Sequence, residues 1–181
     1  MIYVFLADGF EEIEALAPVD FLRRAGVQVQ IVGVTGKACV GAHGIKVETD
    51  ITVDEITLDA ELQGVILPGG MPGADNLDKS EYVHKALDYC IENNLIVSAI
   101  CAAPFILGKK GILEGKNATC FPGFEEYLER ANVLPDGVVT DGNVITAKGA
   151  GVAWEFGAAI NAKITGEEKS KDVLRGIQWK K

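Results

Sequence analysis

Leu95-Ile96-Val97-Ser98-Ala99-Ile100-Cys101-Ala102-Ala103-Pro104 runs from an apolar, β-rich segment into a cysteine and then into small residues and a proline. The part up to Ile100 is short and almost continuously hydrophobic, as a strand buried on both faces reads. From Ala102 onward the composition predicts a helix, so a strand hands over to a helix at Cys101. The same handover recurs upstream. Ile2 to Leu6 precedes an amphipathic stretch from Glu12 to Arg24, and Gly64 to Leu67 precedes another from Ser80 to Asn93, with a further apolar run from Val27 to Val34. Strands alternating with helices predict an α/β fold: a doubly wound, mostly parallel sheet with helices on both faces.

The rest of the chain fits around that frame. Gly26 after Arg23-Arg24 is a helix stop, and Pro18 predicts a kink within the first helix. Thr35 to Asp50, with Gly36, Gly41 and Gly44 between β-type residues, reads as a hairpin excursion on a sheet edge. Gly137 to Thr140 and Asn143 to Ala147 predict two short strands joined at Asp141-Gly142, a strong two-residue turn signal. A helix from about Val152 to Ala162 follows, and the last residues are charged.

At 181 residues, 48% of them hydrophobic and evenly spread, the chain reads as a single domain over residues 1–181. A net charge of -9 excludes a general nucleic-acid binder, which needs a basic stripe to displace counterions from phosphates. Met1 to Leu6 has no basic region before it and Asp8, Glu11 and Glu12 just after it, so it reads as a buried strand rather than a signal peptide. No apolar run reaches the roughly 20 residues of a membrane span. The four cysteines, Cys39, Cys90, Cys101 and Cys120, show no paired short spacing and are expected to be reduced thiols in the cytoplasm.

In open α/β sheets, sites gather at the carboxyl ends of the strands, here around Ala7-Asp8-Gly9, Pro68-Gly69-Gly70 and Cys101. Cys101 has the layout of a nucleophile elbow, in which a sharp turn lifts the side chain clear of the sheet and tolerates only small neighbours such as Ala99, Ala102 and Ala103. A thiol at a helix start can have its pKa lowered into the range of about 3.5–7.5. A buried structural cysteine would read the same way. Glu11 and Glu12 suit the first turn of a helix, where the dipole favours negative charge. Glu14, among Ile13 and Ala15-Leu16, either projects into an apolar pocket with a raised pKa or is an ordinary surface charge. Gly69-Gly70 is an oxyanion-binding nest or a tight turn, and Lys148-Gly149-Ala150-Gly151 a phosphate cradle or packing. His84 fits an exposed helix position, whereas His43 sits in a loop able to reach a pocket mouth. Zinc held by Cys39, His43 and Cys120 matches no compact ligand pattern, and no metal is expected.

Glu11-Glu12-Ile13-Glu14, Leu67-Pro68-Gly69-Gly70, Ala99-Ile100-Cys101-Ala102 and Gly149-Ala150-Gly151 with Glu155-Phe156, taken in order, resemble the ThiJ/PfpI superfamily. The resemblance covers nearly the whole chain and is greatest to the branch of the parkinsonism-associated protein deglycase and its bacterial relatives. It implies a flavodoxin-like sheet of the class I glutamine amidotransferase type, a homodimer with Arg24 near the subunit contact, and no cofactor. It also implies that Cys101 is a redox-sensitive nucleophile and Glu14 its protonated partner. By the same match the amides of Gly69, Gly70 and Ala102 border an anion pocket, with His43, Phe121 and Gly149 at its periphery.

Two departures matter. Protease-like relatives follow the nucleophile with histidine, where this chain has Ala102. The parkinsonism-associated member has a histidine before a proline near its cysteine, where this chain has Phe121 before Pro122. Glu14 is therefore the one proton carrier in sight, and peptide hydrolysis is disfavoured. The resemblance implies either glyoxalase or deglycase chemistry on a small carbonyl substrate or a glycated protein, or a redox sensor or chaperone-like stress protein with Cys101 oxidised to a sulfinate.

Overall fold

The computed structural model describes residues 1–180. In chain order the elements are β1 (Ile2–Leu6), α1 (Glu12–Arg24), β2 (Val29–Gly33), β3 (Ala38–Val40), β4 (Lys46–Glu48), β5 (Ile51–Thr52), β6 (Gly64–Leu67), α2 (Gly73–Asp78), α3 (Glu81–Glu92), β7 (Ile96–Ile100), α4 (Pro104–Lys109), β8 (Asn117–Ala118), β9 (Asn132–Val133), β10 (Val138–Asp141), β11 (Val144–Ala147), α5 (Ala153–Thr165) and α6 (Glu167–Gly176).

The main sheet has the order β10-β11-β7-β6-β1-β2-β5. Its pairings are parallel except β10 with β11, which form an antiparallel hairpin around Gly142. The central strands β2-β1-β6-β7-β11 give the flavodoxin-like doubly wound order, and the chain reverses its direction of travel between β1 and β6. Register aligns the strand ends there: Leu67 lies opposite Ala99, and Ala147 opposite Ile100. Residues that follow Leu6, Leu67, Ile100 and Ala147 therefore share one edge of the molecule.

Both faces of the sheet are covered. Tyr3, Phe5, Val65, Leu67 and Val97 pack under α2, α3 and α4, which contribute Leu77, Leu87, Phe105 and Ile106. Ile2, Val4, Leu6, Ile66 and Ile145 pack under α1 and α5, through Ala15, Val19, Leu22, Phe156 and Ile160. Continuous burial of β1 and β6 on both faces is why those strands read as unbroken apolar runs.

Four local features differ from or qualify expectation. The hairpin β3–β4 forms its own two-stranded sheet, because the edge position beside β2 is taken by β5. It folds instead over the carboxyl end of β1, where the Gly9 amide donates to the Val40 carbonyl at 2.8 Å and the Ala42 amide to that of Phe10 at 2.7 Å. The helix after Cys101 begins at Pro104, which lacks an N–H and suits the first helical position; residues 101–103 are a turn. The charged tail carries α6, anchored to α5 by the Ser170 hydroxyl, which donates to the Ala158 carbonyl at 2.7 Å. Helix α1 runs unbroken through Pro18.

Candidate active site

Cys101 is the only one of the four cysteines that is not fully buried. It sits just beyond β7 with φ 64°, in the left-handed region that costs a side-chain-bearing residue about 1–2 kcal/mol. Surrounding structure holds it there. Its amide donates to the Ala147 carbonyl at 2.8 Å, and its carbonyl accepts from the Phe121 amide at 2.8 Å. A strained residue over-determined by neighbours is a frequent signature of a functional position.

Glu14 is 1% exposed. The preceding turn is built to bring it in: Glu11 caps α1 by accepting the Glu14 amide at 2.7 Å, and the Glu11 amide itself donates to the Gly69 carbonyl at 2.9 Å. Oε2 of Glu14 then accepts the Gly69 amide at 3.0 Å. The Ala150 amide also reaches this carboxyl, and a side-chain hydrogen bond joins it to Cys101. Gly69 has to be glycine, because a Cβ there would come within 2.6 Å of Glu14 Oε2 and 2.7 Å of the Cys101 Cβ. The amides of Gly70 and Ala102 face the sulfur. Of the three amides expected around an anion pocket, two border the thiol, while that of Gly69 is committed to Glu14 and supports the carboxyl.

Burial raises the Glu14 pKa to about 7; the bond to Cys101 opposes the shift and the charge of Glu11 reinforces it. Burial, followed by the charge and hydrogen bond of Glu14, pushes the Cys101 thiol up to about 12. This overturns the expectation of a thiolate favoured by a helix start. Helix α4 begins three residues later and has only six residues, so its dipole does not offset desolvation and the neighbouring carboxylate. Both groups therefore hold their protons more tightly than they would in water, and a carboxyl tuned near neutrality lies beside the thiol.

Glu12 is not the solvated first-turn charge that its position suggested. It is 3% exposed, and its Oε1 accepts the amides of His43 at 2.8 Å and Ile45 at 3.4 Å, while Oε2 meets His43 Nδ1 at 2.7 Å. Burial opposes its ionisation, but these bonds prevail and hold its carboxyl below the usual range. The pairing raises the pKa of His43. His43 thus ties the hairpin to α1 instead of facing the sulfur. The period of α1 carried a signal for this: Glu12 lies in line with Ala15, Val19 and Leu22, and Ile13, 52% exposed, faces outward. His84 is partly covered, its Nε2 lying 2.7 Å from the Asp78 carbonyl oxygen.

Among the described residues, the one trio of potential metal-ligating side chains with ligand atoms within 4.8 Å of one another is Glu11, Glu12 and His43. Cys39, His43 and Cys120 do not form such a group; the Cys39 thiol donates to the Leu6 carbonyl at 3.4 Å, and Cys120 packs in the core on the opposite side of the sheet.

Phe121 is 47% exposed although its amide is pinned beside Cys101. A Cβ on Gly149 would lie 3.4 Å from the Phe121 ring and 3.8 Å from Glu14 Oε1. The ring and the carboxyl therefore flank one gap, kept open by the missing side chain of Gly149.

A flavodoxin-like sheet with a strained cysteine and a buried carboxyl at the switch point defines the class of protein. Residues 1–163 match the DJ-1/PfpI family, and the chain belongs to it. It is 34% identical over 177 residues to Protein dj-1beta of Drosophila melanogaster, covering 96% of this chain and 94% of that protein. To Protein DJ-1 homolog B of Arabidopsis thaliana it is 36% identical, over 93% of this chain but 39% of that longer protein. The crystal structure of Drosophila melanogaster DJ-1beta superposes with a TM-score of 0.93 at 33% identity, covering 99% of this chain and 98% of that one. The solved structure of oxidized Toxoplasma gondii DJ-1 gives 0.94 at 26% identity, with the same coverage. No helix among the described residues is long and apolar enough to cross a membrane.

Proposed function

We propose that the protein is a cysteine-dependent enzyme acting on reactive carbonyls, of glyoxalase or deglycase type, working in the cytoplasm without a cofactor. The observation that carries this reading is the hydrogen-bonded pair of Cys101 and Glu14, in which a carboxyl with a pKa of about 7 adjoins the nucleophile. A base poised near neutrality is best placed to take a proton and give it back.

As sulfur attacks the aldehyde carbon of a 2-oxoaldehyde, the thiol proton passes to Glu14 and the carbonyl electron pair moves onto oxygen, which receives that proton. The product is a hemithioacetal. Glu14 then moves the proton on the former aldehyde carbon to the adjacent carbonyl carbon through an enediol, leaving a 2-hydroxyacyl thioester. Water hydrolyses the thioester, so methylglyoxal becomes lactate and the thiol is restored. The Gly70 and Ala102 amides beside the sulfur suit the oxygen that gains charge during attack. Early glycation adducts of proteins would enter by the same thiol–carbonyl step. In this reading the chain acts as a homodimer, and exposed Ile13, Val40 and Ile45 offer apolar surface for a second copy.

Conversion of methylglyoxal to lactate by the wild type, and its loss in Cys101→Ser, tests the proposal; equal rates for the two proteins would refute it. A second reading, a redox sensor, draws on the same two amides and Glu14, which can donate to the oxygens of a sulfinate, and on the relative whose solved structure is of an oxidized form. Peroxide that adds two oxygens at Cys101 in a protein that consumes no aldehyde would favour it.

A further inference from the structure

Next to Glu14, across Gly149, lies a groove of about 410 Å³ that nothing in the carbonyl chemistry itself requires. Phe121, Pro122, Gly149, Ala150 and Val152 line it, with Lys148 at its rim. The Lys148 ammonium is occupied by the Pro135 carbonyl, to which it donates at 2.9 Å, so the lining offers a ligand mainly apolar surface and backbone. Two distances join the groove to the reacting groups. The position of a Cβ on Gly149 is 3.4 Å from the Phe121 ring and 3.8 Å from Glu14 Oε1, so an atom there touches both. The Phe121 amide, bonded to the Cys101 carbonyl, fixes the backbone from which the ring projects beside residue 101.

We infer that this groove is a substituent pocket, and that Phe121 and Gly149 select 2-oxo carbonyl substrates bearing an aryl or branched alkyl group over methylglyoxal. The inference deepens the proposed function and rests on it. With sulfur bonded to the aldehyde carbon and Glu14 beside its oxygen, the substituent on the far carbonyl lies along the Gly149 gap against the Phe121 ring. A methyl group leaves most of the groove to water. A phenyl ring occupies far more of it and packs on the aromatic face, which favours offset or edge contacts. The expected gain is about tenfold in kcat/KM, corresponding to roughly 60 Å² of apolar surface withdrawn from water.

The experiment compares kcat/KM for phenylglyoxal and methylglyoxal in the wild type, Phe121→Ala and Gly149→Val. Intrinsic differences in aldehyde reactivity cancel between variants. Gly149 has an extended φ of 162°, and a Cβ there makes only ordinary contacts, so valine is tolerated by the backbone while filling the gap. Both substitutions should lower the phenylglyoxal-to-methylglyoxal ratio by about tenfold. In parallel, the rate at which Cys101 is alkylated by N-phenyliodoacetamide relative to iodoacetamide should fall in both variants, a readout that needs no turnover. Ratios within about twofold of wild type in both variants, by either reagent pair, would overturn the inference. If the wild type consumes neither aldehyde yet its aryl preference in alkylation depends on Phe121 and Gly149, the pocket stands and the glyoxalase reading falls alone.

Discussion

Gly69 holds Glu14 in place by leaving room for it: its amide donates to Oε2 at 3.0 Å, and a methyl group at position 69 would collide with that same oxygen and with the Cys101 Cβ. Gly69→Ala should therefore both destabilise the fold and separate the pair. Overpacking of this kind costs about 1–3 kcal/mol. Chemical denaturation together with methylglyoxal turnover checks this; a stable, active alanine variant would show that the pair tolerates displacement.

Glu14→Gln should move two properties in opposite directions. The amide cannot accept the thiol proton, so turnover falls by about 10²-fold or more. It also removes the carboxylate whose charge and hydrogen bond help hold the Cys101 thiol up at about 12, so alkylation by iodoacetamide at pH 8 should accelerate. If the alkylation rate falls instead, Glu14 is assisting the thiolate, and the proton assignment is wrong.

The raised Glu14 pKa also sets a stability window. Its ordinary value of 4.5 applies to the unfolded chain and about 7 to the folded one, so between these values the folded state holds the extra proton. Stability should fall as pH rises from 4.5 to about 7 and level off above that. The contribution is on the order of 3 kcal/mol at most. Denaturant midpoints measured across this range should lose that slope in Glu14→Gln.

The left-handed backbone at Cys101 predicts that Cys101→Gly is more stable than Cys101→Ala by about 1 kcal/mol, since glycine adopts φ 64° without the Cβ penalty. Denaturation of the two variants decides it, and equal midpoints would mean that residue 101 relaxes when its thiol is removed.

His43 and Glu12 form a titrating clasp on the hairpin. Because the His43 pKa is raised above 6.5 by its bond to Glu12, the stabilisation is complete below pH 6.5 and is lost as pH rises through the folded value. Glu12→Gln should return the His43 titration, followed by NMR, to its ordinary midpoint and speed amide exchange at His43 and Ile45. An unchanged midpoint would show that another group sets it.

The alternation of apolar runs and helices was enough to read the order of β1, α1, β2, β6, α3, β7 and α5, because strands buried on both faces and helices buried on one leave different periods in sequence. The hairpin at Asp141-Gly142 was equally plain from its turn residues. What could not be read was the direction in which polar groups point. Glu12 and Glu14 are two positions apart and chemically alike, yet one clasps a hairpin and the other meets a thiol, and the amides of His43 and Gly69 that position them lie 31 and 55 residues away. The Ala150 amide at Glu14 left no trace in its own side chain. Helix α6 was hidden because its contact with α5 rests on a few residues such as Ser170 and Val173 within a charged segment.

The amide of Cys101 is held by Ala147, nearly fifty residues further along the chain. During synthesis β1, β2, β6 and β7 leave the ribosome before that acceptor exists, and Gly149 and Ala150 follow it. Translation therefore releases an unshielded thiol first and its enclosure later, which makes the nascent chain, rather than the finished protein, the stage at which oxidants meet this cysteine with least selectivity.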